Sequence, residues 1–153
     1  MKALTLTSLG RFAGAAPVFV RVIVGVIMLA HGWSKVTGPA GPAGVAAFLG
    51  EMGVPAPTFF AYAVAFLEVG GALALIIGLL TRLVAVLLTV ELVLAILFVK
   101  IHVGLIAPPG TGAGAELDLA LIAGFIAVAL LGPGRPSLDY ALGLESRSGP
   151  PPK

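Results

Sequence analysis

The chain is patterned in blocks, not in alternating faces. Four stretches are almost wholly apolar, and the polar residues fall between them or near their ends. The first covers residues 17–36 and contains Arg21, His31 and Lys35. The second, 59–80, has 22 residues and a single charge, Glu68. The third, 83–99, has 17 residues and one charge, Glu91. The fourth, 117–131, is the shortest at 15 residues, carries Asp118, and must start a few residues earlier to reach full length. Crossing a bilayer as helix takes about 20 apolar residues. The pattern therefore predicts an all-α polytopic membrane protein with four transmembrane helices, at about 17–36, 59–80, 83–101 and 114–132.

Only Thr81 and Arg82 separate the second block from the third. Read as one helix, residues 59–99 would extend about 61 Å, twice the hydrocarbon thickness. The segment must fold back, and Gly78 and Arg82 mark a tight hairpin. The fourth block stops at Gly132-Pro133-Gly134, a strong terminator. In the first loop, Gly38-Pro39-Ala40-Gly41-Pro42-Ala43-Gly44 reads as a turn region. Val45, Phe48, Leu49 and Met52 then recur at helical spacing, which predicts a short amphipathic helix at the membrane surface. Lys2 and Arg11 ahead of an apolar run have the look of a secretory signal. The run is longer than a signal core and Arg21 interrupts it, so the first helix is expected to be uncleaved. The expected organisation is an N-terminal segment 1–16, a four-helix membrane domain 17–134, and a flexible polar tail 135–153.

Composition sharpens this reading. Hydrophobic residues make up 59% and charged residues 10%, where a soluble domain carries roughly 25% charged. Mean hydropathy is +1.12. A soluble enzyme and a disordered chain are both excluded. The absence of Cys removes disulfides, thiolate relays, Cys-ligated iron–sulfur clusters and a Cys nucleophile from this chain. Net charge is only +2 and no basic cluster exists, which argues against nucleic-acid binding. With four spans both termini share one side, and that side collects seven of the nine Lys and Arg. The positive-inside rule then places both termini in the cytoplasm.

Ionisable residues inside apolar spans carry the candidate chemistry. Glu68 and Glu91 lie about 14 Å and 12 Å below the outer ends of their helices. Two carboxylates near mid-membrane cannot both stay charged without partners. One is expected neutral and the other paired with His31 or Lys35. His31 and Lys35 share a face at i, i+4. His102 and Glu116 fall near the mouth of the same outer half, with Lys100, Asp118 and Glu51. Glu116 and Asp118 are two apart, about 200° around a helix, so only one can point inward. Gly70 and Gly71 beside Glu68 are expected to admit a neighbouring helix close to the acid. Arg21, alone in the inner half, is expected to snorkel to the surface. The ligand-binding set read from the sequence is thus His31, Lys35, Glu68, Glu91, His102 and Glu116. The plainer reading treats Lys35 and Lys100 as anchors at span ends, His102 as solvated, and Glu68 and Glu91 as glue between helices. No metal site is expected, because two His are too few for a three-His zinc site. A bis-His haem fails because His31 and His102 differ in depth. Pro109-Gly110-Thr111-Gly112-Ala113-Gly114 lacks the Lys of a phosphate loop.

The ordered set of motifs resembles the DoxX family of small bacterial membrane proteins over about residues 21–139. The resemblance is carried by Arg21, His31-Gly32-Trp33-Ser34-Lys35, Gly53-Val54-Pro55, Glu68-Val69-Gly70-Gly71 and Gly78-Leu79-Leu80-Thr81-Arg82. It continues through Lys100-Ile101-His102, Gly114 with Glu116, and Gly132-Pro133-Gly134-Arg135-Pro136-Ser137-Leu138-Asp139. It implies a four-helix protein of the bacterial cytoplasmic membrane, associated with quinol oxidase, thiosulfate–quinone oxidoreductase or oxidative-stress systems. The family's recurring polar positions match Arg21, His31, Lys35, Glu68, Arg82, His102 and Glu116. No catalytic residue carries over.

Three functions compete. The first is a redox- or stress-associated membrane subunit that binds a quinone-like or small sulfur-containing ligand in an outward-facing polar pocket, with electrons supplied by a partner protein. The second is a scaffold that docks partners at the bilayer. The third is a proton-coupled transporter or channel, which four short helices could form only as a homo-oligomer. The topology is open to test in this Cys-free chain. A membrane-impermeant thiol reagent added outside should label Ala43→Cys and spare Ser146→Cys; the opposite pattern would overturn the orientation.

Overall fold

The computed structural model describes residues 7–108 and 113–145. A 3-10 helix, Thr7–Ala15, runs into α1, Ala16–Thr37. Then come α2, Gly41–Glu51; α3, Pro57–Ile77; α4, Thr81–Ala95, prolonged by a π-helical turn, Ile96–Lys100; α5, Glu116–Leu131; and the short α6, Leu138–Ala141. Among the described residues the fold is entirely helical. Proline opens α1, α2 and α3, where the first turn needs no N–H and the fixed φ suits a helix start.

Three helices are long and apolar enough to cross a membrane: Leu9–Thr37 with 29 residues, Pro57–Ile77 with 21, and Thr81–Lys100 with 20. The expected fourth span is shorter than the other three, since α5 has 16 residues, about 24 Å of helix. α1 packs on α3 and α5, and α4 packs on α3 and α5. Met28, Leu75, Leu88, Phe125 and Val128 form the centre of their shared core. The outer surface is as apolar as the core: Phe66 and Leu130 are about three-quarters exposed. Such a surface belongs in lipid rather than in water.

Small residues set how closely α1 meets α3. A Cβ on Gly25 would lie 2.9 Å from Ile76 Cγ1, and one on Gly32 would lie 2.7 Å from Glu68 Cβ. The glycine that admits a neighbour to the acid is therefore Gly32, not Gly70 or Gly71. Gly70 faces open space, and Gly71 faces α4 with Val84 Cγ1 at 3.1 Å. The sequence pointed to the wrong glycines because Gly70 lies on the exposed side of α3.

The two ends of the helices differ. At the end where α3 turns into α4, Gly78 adopts φ +75° and closes α3 with Leu79 N–H donating to Ala74 O at 2.8 Å, a Schellman-type stop. Two residues on, Leu80 occupies the N-cap of α4 and has no side-chain oxygen to offer. Asp139 supplies it instead. Its Oδ1 accepts from Leu80 N at 2.7 Å and its Oδ2 from Thr81 N at 2.9 Å.

Arg21 is 2% exposed and donates to Leu75 O at 3.0 Å, Ile76 O at 3.3 Å and Pro136 O. It does not snorkel. The last carbonyls of α3 have no intrahelical donor, and a guanidinium with five N–H groups satisfies them where water is excluded. Arg82 likewise donates to Leu130 O at 2.9 Å at the end of α5 and pairs with Glu145 at 2.9 Å. The segment after α5 is thus held in place as far as Glu145, contrary to the expectation of a flexible tail from residue 135. The rest of that tail, 146–153, lies outside the described residues.

Gly78 combines a positive φ with the Arg21 guanidinium in the space a Cβ would fill. Gly78→Ala should lower stability by about 3 kcal/mol, read as an earlier midpoint in a denaturing-detergent titration. Gly70→Ala, with nothing within 4 Å of its Cβ, should stay within about 0.5 kcal/mol of wild type. Equal effects at the two sites would contradict this account.

Candidate functional site

The opposite end gathers the buried charge. Lys35, in the last turn of α1, forms an ion pair with Glu68 Oε1 on α3. The lysine side chain is 30% exposed and the glutamate 2%. The second carboxylate oxygen, Glu68 Oε2, is buried with no hydrogen-bond partner among the described residues. On α4, Glu91 is half-buried, and its Oε2 is also buried without a partner. Glu91 lies within electrostatic reach of Glu68, Lys35 and Asp118. Across from it, Lys100 pairs with Asp118 at 2.7 Å and donates to Gly114 O at 3.0 Å.

The π-helical turn explains how Lys100 joins the group. In an unbroken α-helix, Lys100 would stand about 180° from Glu91. The wider i→i+5 turn over Ile96–Lys100 swings the lysine back toward α5. Two cations and three carboxylates from all four long helices therefore converge at one end. Each buried charge has an opposite charge near it, which offsets much of the cost of removing it from water. If all five were ionised the cluster would carry one excess negative charge, and the oxygens of Glu68 and Glu91 that lack partners are the places to accept a donor. Beside Lys35, a cleft of about 350 Å³ lies between the end of α1 and α2, walled by Ser34, Gly38, Pro39, Val45 and Phe48. It is apolar apart from that lysine and Ser34, the arrangement a ligand with one polar head would need.

Of the residues singled out from sequence, Lys35, Glu68 and Glu91 come together, and His31, His102 and Glu116 do not join them. All three of the latter are exposed. His31 stands about 100° around α1 from Gly32, the residue that touches α3, and Lys35 only about 60° away on the same side. The long lysine stem turns back to the interface; the shorter imidazole stays outside. His31 is exposed on α1, whereas Glu68 is buried on α3. His102 sits in the loop beyond the π turn, and Glu116 is the first residue of α5. Asp118 is the acid that points inward, and it is 7% exposed. The sequence reading kept Asp118 and Lys100 outside the binding set. Their signal was present: opposite charges at the facing ends of consecutive helices. Among the described residues no group of three or more His, Asp or Glu is placed to hold a metal ion.

The DoxX family model matches residues 16–101, from the start of α1 through the π turn. The chain belongs to the DoxX family. It is 38% identical over 119 residues to the "Putative oxidoreductase CatD" of Bacillus subtilis (strain 168), covering 78% of this chain and 81% of that protein. It is 33% identical over 132 residues to an uncharacterized membrane protein of Mycobacterium tuberculosis, covering 80% of this chain and 78% of that one. It is also 33% identical over 126 residues to the inner membrane protein YqjF of Escherichia coli, covering 80% and 88%. No solved structure matches significantly. This DoxX-family membrane protein thus carries Lys35, Glu68, Glu91 and Lys100 inside the matched segment, and Asp118 beyond it.

Contact between Lys35 and Glu68 can be measured as a coupling. Lys35→Met and Glu68→Gln should each destabilise the fold, and the double variant should recover part of the loss, with a coupling of about 1–2 kcal/mol. The lysine's partial exposure keeps the figure below that of a fully buried pair. Strict additivity of the two substitutions would show that the pair contributes nothing.

Proposed function

We propose that this protein is a redox- or stress-associated subunit of the bacterial cytoplasmic membrane, with four spans, both termini cytoplasmic and α2 lying at the outer surface. Its ligand is quinone-like or a small sulfur-containing molecule, held at the Lys35 end. The observation that carries the reading is the pair of buried carboxylate oxygens on Glu68 and Glu91 that lack partners, beside a lysine that is still partly open to an apolar cleft. The name of the Bacillus relative supports redox chemistry.

Support for four spans comes from the way α5 is pinned to α4 at both ends. Lys100–Asp118 ties one end and Arg82 to Leu130 O ties the other, so α5 covers the same depth as a helix that is long enough to cross. The start of α5 is also tied to the loop after α4 by a backbone bond, Glu116 N to Leu105 O at 3.1 Å.

In this reading Lys35 donates to a carbonyl or anionic oxygen of the ligand, and the apolar cleft takes its body. Glu68 holds the ammonium in position. Glu91 accepts or supplies a proton at the buried side. Electrons come from a partner protein or a bound cofactor, since the chain has no Cys. One second reading has an observation in its favour: Lys35 with Glu68 and Lys100 with Asp118 already neutralise one another, as a scaffold would require.

Extraction of the purified protein with organic solvent, followed by mass spectrometry, separates the two. The redox reading expects quinone near one per chain in wild type and at least a fivefold loss in Lys35→Met. No ligand in either sample, with both proteins folded, would favour the scaffold.

A further inference from the structure

The Arg21 end has a second cavity that plays no part in the reading above. Residues around α6 surround a space of about 540 Å³, lined by Arg135, Pro136, Ser137, Tyr140 and Ala141. It is a shallow depression, broadly open to the outside, and the segment that lines it is tied to the turn between α3 and α4, where Asp139 N donates to Gly78 O at 2.8 Å.

The charges near this end are unequal in their commitments. Arg21 donates to the carbonyls of Leu75, Ile76 and Pro136. Arg82 is engaged by Glu145 and by carbonyls of α5. Asp139 is spent on the backbone of Leu80 and Thr81. Arg135 alone of these faces no carboxylate among the described residues. It is exposed, and its guanidinium lies over the ring of Tyr140, 4.5 Å from the centroid. The ring restricts the guanidinium while leaving its N–H groups free for another partner. Ser137 Oγ accepts from Tyr140 N at 3.3 Å, so the hydroxyl hydrogen remains available to donate. The cavity therefore offers a positioned cation and a neutral donor, with no negative side chain lining it.

Its depth decides between ligands. The cavity sits where the spanning helices end: α3 stops at Ile77, α4 starts at Thr81 and α5 stops at Leu131. Leu131, Leu138 and Leu142, which flank this segment in sequence, are all exposed. A phosphate monoanion in free solution gains little from one exposed cation. The same phosphate carried on a lipid is already concentrated at this plane, and its acyl chains lie along the apolar surface beside it. Arginine also matches phosphate oxygens with two parallel N–H groups.

We propose that the Arg135–Ser137–Tyr140 cavity is a headgroup site for an anionic phospholipid, with the phosphodiester on Arg135 and Ser137. The site is independent of any ligand at the Lys35 end. Native mass spectrometry of the full chain in mild detergent tests it, with dioleoyl-phosphatidylglycerol and dioleoyl-phosphatidylcholine supplied in equal amounts. Wild type should retain the anionic lipid about fivefold more than the zwitterionic one, the contribution of one basic residue at an anionic surface. Arg135→Gln and Tyr140→Leu should bring the two lipids to parity. Tyr140→Phe keeps the ring and should keep the preference. Arg11→Gln should also keep it, since Arg11 stacks on Phe12 outside the cavity, 4.7 Å from that centroid. Loss of the preference in millimolar inorganic phosphate would make this a soluble-anion site and overturn the lipid assignment. An unchanged preference in Arg135→Gln, or none in wild type, would overturn it as well.

Discussion

Polar groups inside an apolar slab must find their partners within the protein, because neither lipid nor water supplies them there. That constraint accounts for where nearly every charged side chain of this molecule sits. The buried charges fall into two groups, one at the Arg21 end and one around Lys35, Glu68 and Lys100, and most of their partners lie on other elements, so each such contact also fixes which elements are neighbours. Between the ends the core is Met, Leu, Phe and Val, which pack well but discriminate little between alternative arrangements. The ends supply the discrimination.

The two ends use the constraint differently. At the Arg21 end the partners of the charged groups are mostly backbone atoms. A backbone atom cannot move without moving its helix, so this end is a rigid closure. At the Lys35 end the ion pairs join side chains to side chains, on stems with several rotatable bonds, and carboxylate oxygens of Glu68 and Glu91 are left over. Side-chain pairs can open and re-form. The division of labour follows from the type of partner, and it puts adaptable chemistry at one end of a frame held firm at the other.

Much of this was legible in the sequence. The three long helices, the hairpin at Gly78 and Arg82, the α2 helix and the inward turn of one of the acids in Glu116-Leu117-Asp118 all follow from apolar length and helical angle. What was hidden depended on geometry that no local pattern records. The π turn rotated Lys100 into the cluster, so a residue that looks like an anchor at the end of a span became a buried partner. His31 shares a face with Lys35, yet reach rather than face decided which of them touches Glu68. Arg21 looked like a snorkelling cation because its acceptors, the carbonyls of Leu75 and Ile76, belong to another helix and carry no side-chain signature. The short α6 was invisible for the same reason: Asp139 acts on backbone N–H groups 58 and 59 residues earlier in the chain.

That last separation has a consequence for how the molecule is made. The start of α4 is capped by a residue that the ribosome has not yet added when α4 itself emerges. At about 5–20 residues per second, the hairpin between α3 and α4 waits roughly 3–12 seconds for its cap, and during that interval the N–H groups of Leu80 and Thr81 have no partner from Asp139. The hairpin must therefore be held provisionally, by water or lipid headgroups at the membrane boundary, until α5 and the segment that follows it have been made. Assembly of this end is a late event in synthesis, and a chain stopped short of Asp139 would contain every long helix and still lack the group that closes them.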